Sequence, residues 1–160
     1  MGNEILATYL ADHLAGSVVA IELLDHLRDL SKGTERQRLF ASLQAEIEED
    51  QTVLKELLGG VGGEESWMRN AAGWLSEKVV EAKLKLDDSG SGELRLLEAL
   101  ETLALGILGK RALWRALGVV GDLVPQIQRL DLGKLERRAQ DQHDRVETER
   151  LKVARAALGT

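Results

Sequence analysis

The chain of 160 residues contains no cysteine, which excludes disulfides, thiolate metal ligands and a thiol nucleophile. It holds one proline, so long segments run without a helix breaker. Aromatic residues are scarce, with three Trp, one Tyr and one Phe, too few for a typical β-sandwich or for base-stacking platforms. Positive charge is in the minority: 21 Lys and Arg face 27 Asp and Glu, for a net charge of −6 and a pI of about 5.2. A chain-wide phosphate-binding surface is therefore excluded, and no nucleic-acid partner is expected. The opening "MGNEILATYLADHL" carries acids where a secretory signal carries bases. Charges are read as interrupting every apolar run before the roughly 18 residues that span a bilayer. The expectation is a soluble cytoplasmic protein with no membrane partner. Three histidines and few serines offer no activated nucleophile, and no catalytic residue is expected.

What is present favours helix. Hydrophobic residues make up 44% and charged residues 30%, with Leu, Ala, Glu, Lys and Arg prominent. The length suits one domain over 1–160 with a single core. Helices are expected at 3–31, with Asn3 as cap and Gly33 as terminator, and at 34–58, where Thr34 and Gln37 suggest a capping box. "GGVGG" at 59–63 stops the second helix. Another helical stretch is expected at 65–86, a joint at "DDSGSG" 87–92, a largely apolar helix at 93–117, and a last helix at 134–158. The short hinge after the first helix predicts an antiparallel hairpin. Charge is uneven: residues 1–66 hold 13 acidic and 5 basic side chains, while residues 67–160 hold 14 and 16. The bases Lys110, Arg111 and Arg115 beside Trp114 read as a solvated face or as partners for the acidic first half. Gly106 and Gly109 lie mid-helix, where each costs about 1 kcal/mol relative to Ala. The reading given to them is close approach of a neighbouring helix.

Helical periodicity groups residues three, four and seven apart. The inner stripe of the first helix reads Leu6, Leu10, His13, Ser17, Ile21, Leu24, and that of the second Leu39, Leu43, Glu46, Asp50, Val53, Leu57. In the apolar helix Glu101 falls among Leu94, Leu97, Ala104 and Leu108. The last helix shows Leu135, Ala139, Gln142, Val146 and Val153, flanked by His143. Each of these helices thus turns a polar group inward near mid-length, and a buried charge needs a partner, a metal or water.

Two helices, a helical crossover and two more helices, together with "EIEED" at 46–50 and "LEALETLALGILGKRALWRAL" at 97–117, resemble the ferritin-like superfamily. The chain is most similar there to small bacterial ferritin-like stress proteins of unknown activity. The resemblance implies an all-α, ferritin-like four-helix bundle with a helical crossover between helices 2 and 3. It also implies a di-metal centre built from Glu and Glu-x-x-His ligands. The corresponding set here is His13, Glu46, Asp50, Glu101 and His143, with Asp50 where the family has His and Gln142 where it has an acid. An amide is a weak ligand. Two readings stay open. These residues could hold one ion, iron or another divalent metal, in an oxidase or storage protein. They could instead form a metal-free polar core, with His13 protonated or Arg111 answering the carboxylates, in a structural or interaction protein related to stress. The second, with no cofactor, is preferred. It implies repulsion among Glu46, Asp50 and Glu101, so that an amide at Glu46 or Asp50 should be neutral or stabilising. A homodimer is expected, because four core stripes are not expected to hide Trp67, Trp74 and Trp114 unless the crossover helix covers them.

Overall fold

Leu-, Ala- and Glu-rich segments punctuated by glycine satisfy their backbone N–H and C=O groups most readily as α-helices. The computed structural model describes residues 2–87 and 92–159, with side chains at all of them except 2, 66, 70, 72, 74 and 82–87. Every regular element among these residues is helical: α1 (Gly2–Leu30), α2 (Glu35–Gly60), α3 (Glu64–Asp87), α4 (Gly92–Val120), α5 (Pro125–Gln128) and α6 (Leu132–Leu158). The protein is all-α, and the five long helices lie where the sequence pattern sets them, give or take a few residues. Most of the joint expected at 87–92, residues 88–91, falls outside the described residues.

The turns differ in detail from expectation. Asn3 lies inside α1 rather than capping it. The chain leaves α1 through Gly33, whose φ of +80° is open to glycine at little cost. Thr34 does not cap α2 with its side chain. Its hydroxyl donates back to the Ser31 carbonyl at 2.7 Å, and Gln37 Oε1 accepts from Gly33 N at 2.9 Å. Half of the expected capping box therefore forms, displaced by one residue. At the other end of α2, Gly63 N donates to Leu58 O at 3.0 Å and Gly62 N to Gly59 O at 3.1 Å, with Gly62 at φ +81°. This is a Schellman closure. Gly63 is confined further, since a Cβ there would collide with Leu58 and Ala7. Asp131 starts α6 by accepting from Lys134 N at 2.9 Å.

The tightest packing is within two antiparallel hairpins, α1 with α2 and α4 with α6. The hairpins meet along α1 and α4, and α3 lies mainly on α1. One apolar cluster runs through the interior, with Leu10, Leu14, Leu24, Leu27, Phe40, Leu43, Leu100 and Ala139 fully buried. The backbones of α2 and α6 do not pack closely; long polar side chains bridge them instead. Arg36 of α2 pairs with Glu149 of α6, Glu46 with Arg145, and Asp50 with Arg138. Numbers rise on one helix as they fall on the other, so α2 and α6 are antiparallel. It follows that α2 and α4 are parallel, which is why a return element, α3, must separate them.

Trp114 is fully buried within the chain and Trp67 is half-buried against the core. The Trp74 side chain lies outside the described residues. The exposed large apolar residues are instead aliphatic side chains and Met68, including Leu94, Leu105, Leu108 and Val119 on α4. One expectation needs correction. Among the described residues α1, over Asn3–Leu30, is long and apolar enough to cross a membrane. Between Glu4 and Glu22 its only charged residue of the Asp, Glu, Lys or Arg type is Asp12. In this fold Leu10, Leu14, Leu24 and Leu27 of that helix are buried against its neighbours.

Candidate functional site

The register that turns Leu43, Ile47, Leu54 and Leu57 of α2 inward also turns Asp50 inward, and only 2% of it remains exposed. A carboxylate so buried is costly unless it is paired and hydrogen-bonded. Asp50 has both kinds of partner. Lys110 of α4 donates from Nζ to Oδ2 at 2.6 Å, and Arg138 of α6 donates from Nη2 to Oδ1. Gln142 of α6 links the set. Its Nε2 donates to Asp50 Oδ2 at 3.4 Å and to Glu46 Oε2 at 3.1 Å, while its Oε1 accepts from Lys110. One turn earlier on α2, Glu46 receives Arg145 Nη2 at 2.6 Å. Arg138 also reaches Glu49 at the surface, at 2.7 Å.

These contacts set the protonation states. Burial disfavours the Glu46 carboxylate, but hydrogen bonds from Arg145 and Gln142 outweigh it and hold the carboxyl below its ordinary value. Burial pulls Lys110 below the ordinary lysine value, against the opposing charge of Asp50. Burial also works against Arg138, yet its bonds to Asp50 keep it more firmly protonated than usual.

Glu46 and Asp50 are thus brought together, and the other three expected ligands are not. Glu101 points outward with half its side chain exposed and pairs with Arg150 at 3.2 Å, which also holds Glu147 at 2.7 Å. His143 sits partly buried at the flank, its Nδ1 3.7 Å from Asp144. His13 packs edge-on against Tyr9 with ring centroids 4.8 Å apart, and burial keeps its imidazole below the ordinary histidine value against the pull of Asp12. Among the described residues no group of three or more His, Asp or Glu side chains converges as a metal site. The donor set does not fit a pair of divalent ions, because the two gathered carboxylates already face three protein cations.

Several expectations change accordingly. Glu101 leaves the core face because α4 is rotated from the assigned stripe: Leu97, Leu100, Leu103, Ala104 and Ile107 are buried, while Leu94 and Leu108 are partly exposed. Arg111 does not answer the central carboxylates; it lies 3.5 Å from Glu136, with Arg115 at 3.7 Å from the same group. An amide at Asp50 no longer removes a repelling charge, since Asp50 sits between two cations. The last helix does bring a buried carboxylate, Glu149, held by Arg36 at 2.5 Å.

Sequence reading missed the inward position of Lys110, Arg138 and Arg145, although a salt bridge from the Lys110 cluster to the acidic first half is one of its expectations and Lys110 makes one to Asp50. A signal for them existed. Leu103, Ile107, Lys110 and Trp114 repeat at four, seven and eleven, as do Arg138, Gln142, Arg145 and Glu149. Gly106 and Gly109 also have a different role from the expected one. A Cβ at either position would meet nothing within 4 Å, and the same holds for Gly16 across the seam on α1. All three border an open cleft rather than a close helix contact. No protein-family model matches the chain, and no curated protein or solved structure is significantly similar to it.

Proposed function

We propose that the chain is a ferritin-like four-helix bundle, with α1, α2, α4 and α6 as its helices and α3 as the crossover between the second and third. In this reading the metal centre of the fold has been replaced by a cluster of protein ion pairs. The protein acts as a structural or interaction protein of the cytoplasm rather than as an oxidase or iron store. The observation that carries the reading is Asp50, buried between Lys110 and Arg138. An ammonium and a guanidinium there supply the positive charge that metal ions supply in a di-metal centre, and they repel any cation that approaches. The parallel run of α2 and α4, joined by a helical return, supports the fold part of the proposal.

The test is addition of ferrous iron under air to the purified protein. The expected result is no catalysed oxidation and no rise in thermal midpoint. Oxidation faster than the buffer blank, lost on replacing Glu46 by Gln, would restore the oxidase or storage reading. The proposal includes a homodimer through the exposed leucines of α4. Light scattering should then give twice the 17.6 kDa chain mass, and a value of one chain mass at micromolar concentration would remove the dimer.

A further inference from the structure

Beside the ion-pair cluster lies a cleft of about 230 Å³ between α1, α2 and α4. An engineered cavity of about 150 Å³ admits benzene, so this one has room for a molecule of about ten non-hydrogen atoms. Its walls are mostly apolar: Ile47, Leu54, Ile107, Leu113 and Trp114 line it. Mid-helix glycines on two different helices, Gly16, Gly106 and Gly109, border it with no atom where their Cβ would stand. Glycine is unfavourable inside a helix, and here no neighbouring helix uses the space it frees.

The polar groups of the cleft are Asp12, His13, Ser17, Asp50, Gln51 and Lys110. Gln51 Nε2 donates to Ser17 Oγ at 3.0 Å, the Ser17 hydroxyl donates to Leu14 O, Gln51 Oε1 accepts from Lys55, and Asp12 is exposed at the rim. Lys110 directs two of its three N–H groups to Asp50 and Gln142, which leaves one. Trp114 is 1% exposed, and its indole N–H is buried with no hydrogen-bond partner. A buried donor left unpaired is costly in a folded protein. The unused donor among the cleft's own polar groups is the third N–H of Lys110. At the inner end of the cleft Lys110 and Arg138 both answer the buried Asp50, and the Glu46 carboxylate also acts on Lys110.

From this geometry we infer a binding site for a small apolar monocarboxylate. The hydrocarbon body lies along Ile107, Leu113 and Trp114 beneath the glycines, and the carboxylate accepts from the remaining N–H of Lys110. The apolar body gains from leaving water. The head group gains from a donor that nothing else uses.

Octanoate, with about ten non-hydrogen atoms, is the probe, titrated into the full chain at submillimolar concentration and followed by calorimetry and tryptophan fluorescence. One equivalent should bind saturably, and 1-octanol, which has the chain without the charge, should bind at least tenfold more weakly. Lys110→Met should remove the preference for the acid. Gly109→Leu, which grows a side chain into the cleft, should abolish binding while the circular dichroism spectrum stays helical, and it decides the matter if Lys110→Met does not fold. Absence of saturable binding would overturn the inference. So would octanoate binding Gly109→Leu as tightly as the parent, which would place it on the exposed leucines. Equal affinity for octanol would overturn the carboxylate head group.

Discussion

The two seams that join the hairpins are built from different materials. On one side α1 meets α4 through apolar residues, with a glycine-bordered cleft at mid-length. On the other side α2 and α6 stay apart, and Arg36–Glu149, Arg145–Glu46 and Arg138–Asp50 span the gap. Apolar contact is non-directional and holds surfaces together without specifying their register. Paired charges add little net stability but penalise misalignment, because a slipped helix leaves a buried charge alone. The labour is thus divided: the apolar seam holds and the polar seam aligns.

Breaking the polar seam at its buried centre should have the largest effect. Asp50→Asn leaves Lys110 and Arg138 facing each other without their shared anion, and the expected loss is about 3 kcal/mol in urea denaturation. Replacing the centre as a whole, with Asp50→Leu, Lys110→Met and Arg138→Met together, should recover most of that loss. A triple variant as unstable as Asp50→Asn would show that the cluster itself stabilises the fold.

The apolar seam should respond in the opposite direction. Gly16→Ala, Gly106→Ala and Gly109→Ala each add a methyl group to open space and remove a helix-interior glycine. Each should stabilise by about 1 kcal/mol. A loss at any of the three would mean that the helices there approach more closely than the cleft implies.

The smallest effect is the pH dependence of the outer pair. The Glu46 carboxyl is held below its ordinary 4.5 by Arg145 and Gln142 despite burial. The unfolded chain therefore binds that proton first as pH falls. The contribution is complete above about 4.5, is lost as pH drops through the lowered folded value, and amounts to about 1 kcal/mol or less. Arg145→Met should flatten the acid limb of the stability curve in that window. An unchanged limb would remove Arg145 as the cause.

How far these features could be read in advance depended on each helix's amphipathicity. On α6 apolar and polar residues segregate cleanly, and Leu135, Ala139, Gln142, Val146 and Val153 are all buried, with Glu149 beside them. On α2 the inward turn of Asp50 followed from Leu43, Ile47 and Leu54. On α4 apolar residues surround the helix, so periodicity cannot set its rotation. Periodicity therefore places Glu101 in a core that it does not enter, and for Lys110 it leaves both a solvated face and a partner in the acidic first half open. Arg138 and Arg145 were hidden for a different reason. Long side chains rooted at the edge of a stripe can cross a gap that their backbone positions do not suggest. Helix ends were legible to within a few residues, because Gly33, Gly62 and Gly63 mark them sterically.

In the proposed function protein cations, not metal ions, answer the buried carboxylates. The most direct test is elemental analysis by plasma mass spectrometry of protein purified without chelators. Iron, manganese and zinc should each lie well below one ion per chain, with no change in the Asp50→Asn variant. One or more equivalents of any of these metals, lost on Asp50→Asn, would contradict it.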